Sequence, residues 1–378
     1  MTAPAPTRSR RENALFFSLA AVCLVLSIAT GGDFLSSRNL TQLAIEYAMT
    51  ATLSVGMLLV ILPGHIDLSA GSGVGLTGGI AAVLIAERQW PAAGAMLAAL
   101  TTALLLWAAM GWMIVRQGIP AFIVTLGGLQ AFKGLFWKVI DNHTIPVAQG
   151  GAPNALSLLT TSYLPGWLGW FLVLAGFGAA LLLSLAHRRA RSRANLPLED
   201  GELWFLKHFV AAQLAGLLVL LCNRHQGVPL PLVILAGLAV AVHLLIEHTP
   251  FGRALYAIGG NPEAALMSGI PVPRITLLAF VLMGAAVALT GMLQTAYAGY
   301  STTDVGNLLE LDAVAACVIG GVSLQGGRGG VLGVLAGSLL MAVLSKGMSL
   351  LGTGPELKYI VRGGVLVGAV WLDRRLGR

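Results

Sequence analysis

Apolar runs long enough to cross a bilayer, about 20 residues each, recur along nearly the whole chain. No stretch between them is long enough to fold as a water-soluble domain of even ~50 residues. Backbone polar groups inside hydrocarbon must be paired within the protein, and runs of this length pair them as helices. The expected fold is all-α, a polytopic integral membrane bundle of about 10–12 transmembrane helices with broken or re-entrant segments. Composition agrees: 10% of the 378 residues are charged and 56% are hydrophobic, against roughly 25% charged in a soluble domain.

Hydropathy places spans near Ala14 to Thr30, Leu43 to Leu62, Val74 to Ala86, Pro91 to Val115, Ala121 to Ile140 and Leu164 to Ala186. Others lie near Trp204 to Cys222, Leu230 to Glu247, Ile275 to Ala298, Leu311 to Ser323, Val331 to Leu351 and Leu357 to Leu372. The segments starting at Val74 and Leu311 are short and glycine-rich, as broken or re-entrant helices sheltered by protein would be. Residues 1–13 and 374–378 are then tails around one transmembrane domain, 14–373. The basic start before the first span also resembles a secretory signal with a cleavage site at Ser27-Ile28-Ala29; retention as an anchor is the reading adopted.

Net charge is +7, and in an oily chain the side on which basic residues fall matters more than their number. A cytoplasmic N-terminus puts Arg8, Arg10, Arg11, Arg116, the arginines of 188–193, Arg253, Arg274, Arg328, Arg374, Arg375 and Arg378 inside. Only Arg38, Arg88 and Arg224 remain for outer loops. Both tails are therefore expected in the cytoplasm, and nothing points to nucleic acid. Trp90, Trp167, Trp170, Trp204 and Trp371 sit near span ends, where indoles prefer the lipid headgroups. Asp141 to Tyr163, with Asn142, Gly150, Gly151 and Asn154, is the longest outer loop, either a docking surface or a connector. Cys23, Cys222 and Cys317 lie in apolar segments without ligand-like spacing and read as packing residues.

Residues 249–274 interrupt this pattern with what reads as a small freestanding helix. Asn261 can N-cap it, Pro262 suits its first turn, Glu263 complements its positive end and Gly269 can close it in the left-handed conformation. Pro271 and Pro273 stop any continuation. The alternatives are an ordinary loop helix and a rigid handle facing the compartment that holds ATP.

Two stretches near membrane depth carry polar and glycine residues. Pro63 to Gly75 contains Asp67 and Ser69, which can cap the following helix or contact substrate. Gly320 to Gly330, with Ser323, faintly echoes it, as paired interruptions along a translocation path would. Glu46, Lys346 and Arg362 lie within spans; each is read first as a packing group, with substrate contact as the other reading. His243 and Glu247, four apart, read as a local pair. No Gly-x-x-x-x-Gly-Lys-[Ser/Thr], Cys-x-x-Cys or His-Glu-x-x-His occurs. No cofactor and no metal is expected, and if ATP drives this protein, another chain binds it.

Phe251-Gly252-Arg253, Tyr256 to Asn261, Glu263-Ala264-Ala265 and Ser268-Gly269-Ile270 together resemble the cytoplasmic coupling loop of permease subunits in ribose- and xylose-type ABC sugar importers. Ile66-Asp67-Leu68-Ser69 with Gly71, Pro120 with Phe122 to Gly127, and Glu310 to Ala313 with Ala315 to Gly321 agree in the family's order, from about residue 35 onward. The additional hydrophobic pair at about 164–222 favours the xylose-type branch. His65 and Lys133 depart from the family's usual glycine and arginine.

The resemblance implies a non-enzymatic subunit of the bacterial inner membrane, moving D-xylose or a similar pentose by alternating access. It implies a second permease copy as a homodimer, an ATPase subunit, a periplasmic sugar-binding protein and surrounding lipid as partners. Gly259, Gly260, Asn261, Glu263, Ala264, Ser268 and Gly269 are the expected coupling residues. Asp67, Ser69, Phe122, Thr125, Asp312 and Ser323 are the candidates for the translocation path. Competing readings are a related ABC permease for ribose, galactose, nucleosides or branched-chain amino acids, an ion-coupled carrier using Glu46, Asp67 or Asp312, and a membrane scaffold.

Overall fold

The computed structural model describes residues 8–148, 152–194, 196 and 200–376; Gly150, Gly151 and the outermost parts of both tails lie outside them. The chain runs through α1 (Arg8–Ala29), α2 (Ser37–Ile61), α3 (Ala70–Ala86), α4 (Ala92–Gln117), α5 (Ala121–Val139), α6 (Ala155–Thr161), α7 (Gly166–Arg193) and α8 (Gly201–Asn223). It continues through α9 (Leu230–His248), α10 (Pro250–Gly260), α11 (Pro262–Met267), α12 (Val272–Ala298), α13 (Leu309–Ile319), α14 (Val331–Leu350) and α15 (Pro355–Leu376). Seven of these, among the described residues, are long and apolar enough to cross a membrane, which makes this an all-α multi-pass membrane protein.

α2 and α12 form the centre: 83% of the apolar window of α2 and 61% of that of α12 are buried, against 6% for α7 and 12% for α8. The additional pair therefore stands at the periphery, with Phe171, Leu174 and Leu182 of α7 and Phe205, Leu214 and Leu217 of α8 turned outward as a lipid-facing surface requires. α7 does not stop at Ala186 but carries its helix through the basic stretch to Arg193.

α3 packs against α12, α4 and α5, and its glycines make that approach possible. A Cβ at Gly75 would stand 2.6 Å from the Val305 carbonyl and 2.7 Å from the Phe136 ring, and one at Gly78 would stand 2.7 Å from the Gly291 carbonyl. Removing side chains here lets backbones touch where apolar burial between helices offers no driving force. α3 has 17 residues, about 25 Å of helix. α13 has 11, about 16 Å and so roughly half a hydrocarbon layer. Of the two short segments, α13 is the broken one.

Two short antiparallel ribbons close one end of the bundle. Ile145–Pro146 (β1) and Tyr163–Leu164 (β2) pair with later segments, Val228–Pro229 (β3) joining β2 and Tyr300–Ser301 (β4) joining β1. The described part of the long loop is thus a packed cap. Asn154 accepts from Leu156 N and Ser157 N, both at 3.0 Å, and donates to Val147 O at 2.7 Å, anchoring α6 with Leu156 buried. Cys222 and Cys317 are buried and free, and Cys317 donates to the Ser54 carbonyl at 3.3 Å.

Candidate coupling and translocation site

The freestanding helix exists as α11, six residues long. Asn261 accepts from Ala264 N at 3.0 Å, Ser268 Oγ donates to Ala264 O at 2.8 Å, and Gly269 turns the chain away at φ 81°. Ala265 alone of α11 is buried, while Met267 is 87% exposed. Gly260, Asn261, Glu263, Ala264, Ser268 and Gly269 all face outward. α10, which precedes it, buries Ala254, Leu255 and Ile258 and leaves Arg253 exposed. Thr249 starts α10, its hydroxyl accepting from Gly252 N at 3.3 Å.

Gly259 differs from its neighbours. A Cβ there would run into the Leu62 carbonyl and the Gly327 nitrogen, both backbone, whereas Gly260 has nothing within 4 Å. Gly327 N donates to Leu62 O at 2.9 Å, and Tyr256 Oη donates to Gly329 O at 2.9 Å. The two polar, glycine-rich interruptions, distant in sequence, therefore meet each other and the last turn of α10 at a single junction. Ser323 belongs to a turn of that junction: its N donates to Arg328 O at 3.0 Å and its hydroxyl accepts from Gln325 N at 3.2 Å. Glu247 accepts from Tyr256 at 3.4 Å, and the His243 ring stands edge-on to His248, so the described partner of each is not the other.

From Leu62 the chain turns into Asp67, which is fully buried. Asp67 Oδ1 accepts from Ser69 N at 2.8 Å and Ser69 Oγ at 2.6 Å, and Oδ2 accepts from Trp107 Nε1 at 2.6 Å. Ser69 occupies the N-cap position of α3, yet its side chain bonds Asp67 instead of a helix N–H, so the expected double cap is corrected to a carboxylate clasp between the α3 entry and α4. Thr125, also buried, donates to Ile66 O at 3.3 Å and adds α5 to the same knot. Asp67, Ser69 and Thr125 are thus together and inaccessible. Phe122 lies apart on an outward face of α5 with Ile123 and Leu126, 58%, 50% and 46% exposed.

Asp312 belongs to a second grouping, around a cavity of about 440 Å³ between α2, α12, α13, α14 and α15. Arg362 Nη2 lies 3.2 Å from Asp312 Oδ2. Lys346 Nζ lies 3.0 Å from Glu46 Oε1 and donates to Gln42 Oε1 at 3.0 Å, and Tyr297 Oη donates to Glu46 Oε1 at 3.0 Å. Glu46, Lys346 and Arg362 are legible as charges within spans; Gln294, Tyr297 and Ser345, which border the cavity with Glu46 and Arg362, carry no such mark. Lys346→Met should lower stability by about 3 kcal/mol, since it strands a partly buried carboxylate. Adding Glu46→Gln should restore much of that loss, measured as thermal unfolding in detergent.

A family model described as "Branched-chain amino acid transport system / permease component" matches residues 39–370. The chain is 37% identical over 361 residues to a xylose transport system permease protein of Haemophilus influenzae, covering 95% of each chain. It is 37% identical over 356 residues to that of Escherichia coli, covering 94% of this chain and 90% of the relative. A ribose import permease protein of Bacillus subtilis is 31% identical over 360 residues, 95% of this chain and 92% of its own. No solved structure matches. With helices packed around two meeting interruptions, an exposed capped handle and this likeness over nearly its full length, the chain belongs to the family of transport-system permease components.

Proposed function

We propose that the chain is the membrane subunit of an ATP-driven importer of a monosaccharide, D-xylose or a similar pentose, and that α11 is the part its ATPase grips. The observation that carries this reading is the junction at Gly259: a stiff, outward helix whose base rests on both interruptions of the bundle. Movement of α10 and α11 then reaches α3, α4 and α5 through the Leu62 to Asp67 turn, and α13 and α14 through residues 320–330. A frayed handle would absorb displacement; a capped one transmits it.

The sugar comes from the relatives' named substrates, and the peripheral α7–α8 pair accords with the longer, xylose-type members. Positive residues put the handle, both tails and Arg116, Arg274 and Arg328 in the bacterial cytoplasm, with the ribbons outside. A periplasmic binding protein delivers the sugar to that outer end. A second copy pairs through outward faces such as that of Phe122, Ile123 and Leu126 on α5, with α15 contributing Ile360 and Val367, both 69% exposed.

Proteoliposomes containing this permease, its ATPase and its binding protein should accumulate labelled xylose only with ATP, with ribose, galactose, nucleosides and leucine competing weakly. Accumulation by the permease alone, or accumulation that collapses with an ion gradient while ATP is ample, overturns the proposal.

A further inference from the structure

We infer that the permease has its own recognition site for an uncharged, polyhydroxylated ring, a monosaccharide, in the cavity beside Glu46 and Asp312. This inference rests on the sugar-importer reading above and extends it: recognition is not left wholly to a soluble delivery protein. The cavity, at about 440 Å³, falls within the ordinary range of small-molecule sites. It lies at the end opposite the handle. Tyr300, in the β1–β4 ribbon, borders it, and Glu46 precedes Leu62 by about 24 Å along α2.

Its chemistry selects the ligand class. Of the three carboxylates on its wall, the two that are wholly or partly buried are matched, Glu46 by Lys346 and Asp312 by Arg362, and the third, Asp304, is solvent-exposed, so the interior offers hydrogen-bonding groups with little net field and suits a neutral ligand better than an ion. Two acceptors on its wall are buried with no hydrogen-bond partner among the described residues, Gln294 Oε1 and Asp312 Oδ1. Asp312 as a whole is only 6% exposed. A buried acceptor left unmade is costly, and two of them on residues that border one cavity would be satisfied by a ligand that donates at several points, as sugar hydroxyls do. Ser345 adds a hydroxyl that both donates and accepts, and Tyr297, 37% exposed, offers a ring against which the C–H face of a sugar can lie.

The test uses the full-length permease in lipid nanodiscs and labelled D-xylose, D-ribose and D-galactose at millimolar concentrations. At least one should bind saturably without any binding protein. Gln294→Leu and Ser345→Val should each weaken that binding roughly tenfold, with the unfolding temperature unchanged, and Leu97→Ala, at an outward position of α4 that is 63% exposed, should leave it intact. Absence of saturable binding for all three sugars, or binding that both cavity variants leave unchanged, overturns the inference. Uptake by the complete transporter is measured in parallel. ATP-driven uptake without permease binding removes this site and leaves the importer reading standing; saturable permease binding without ATP-driven uptake does the reverse.

Discussion

Gly259→Val is expected to abolish ATP-driven uptake and to lower the unfolding temperature of the solubilised permease, whereas Gly260→Val and Glu263→Lys should abolish uptake and leave that temperature unchanged. The difference follows from what each position touches. A side chain at Gly259 meets the Leu62 carbonyl and the Gly327 nitrogen, backbone atoms that cannot swing aside as a flexible side chain would. The cost lies at or above the upper end, about 3 kcal/mol, of the range usual for overpacked interiors, because α10 must lift off both interruptions at once. Gly260 and Glu263 are both exposed, and a Cβ at Gly260 has nothing within 4 Å, so their substitution acts on the docked ATPase. Co-purification with the ATPase separates the cases, being lost for Glu263→Lys in an intact permease. Normal uptake by Gly260→Val and Glu263→Lys would remove the handle's assigned role.

Asp67→Ala should lower stability by roughly 3–5 kcal/mol, because two fixed donors, Ser69 N and Trp107 Nε1, lose their partner inside the protein and each stranded group costs about 1–3 kcal/mol. Against a total stability of only about 5–15 kcal/mol, much of the protein would fail to accumulate in the membrane. Asp67→Asn is not conservative here. The carboxylate uses both oxygens as acceptors, so an amide that keeps the Ser69 bonds turns its own N–H toward the Trp107 indole N–H. Trp107→Phe should therefore relieve part of the Asp67→Asn defect in thermal unfolding. If Asp67 instead contacted substrate directly, Asp67→Asn would raise the half-saturating sugar concentration at unchanged stability, and Trp107→Phe would bring no rescue.

The helical bundle was legible because apolar runs about 20 residues long have few other ways to satisfy their backbone in hydrocarbon. The handle was legible for a local reason: Asn261, Pro262, Glu263 and Gly269 act within a few residues of their own backbone, and caps of that kind are written in adjacent positions. Asp67 and Ser69 were recognised as exceptional, yet their roles were only half readable, since Trp107 approaches from forty positions away. Ser323 drew attention through its glycine-rich surroundings and proved to be a turn residue. Gln294, Tyr297 and Ser345 went unmarked because a lone polar residue on an apolar helix has no local signature of what it faces.

The order of residues by itself determined a multi-span membrane protein, the position of its charges along the chain, the capped element between α10 and α12, and the family to which the chain belongs. Only the tertiary structure decided that residues 62–69 and 320–330 meet beneath Gly259, that Asp67 clasps α4, and that Glu46, Gln294 and Asp312 border one cavity. The physical reason is range. Helix formation, capping and hydropathy act over one to about twenty neighbouring residues, while a buried carboxylate or a bare glycine acquires its meaning from whichever distant segment packing sets against it.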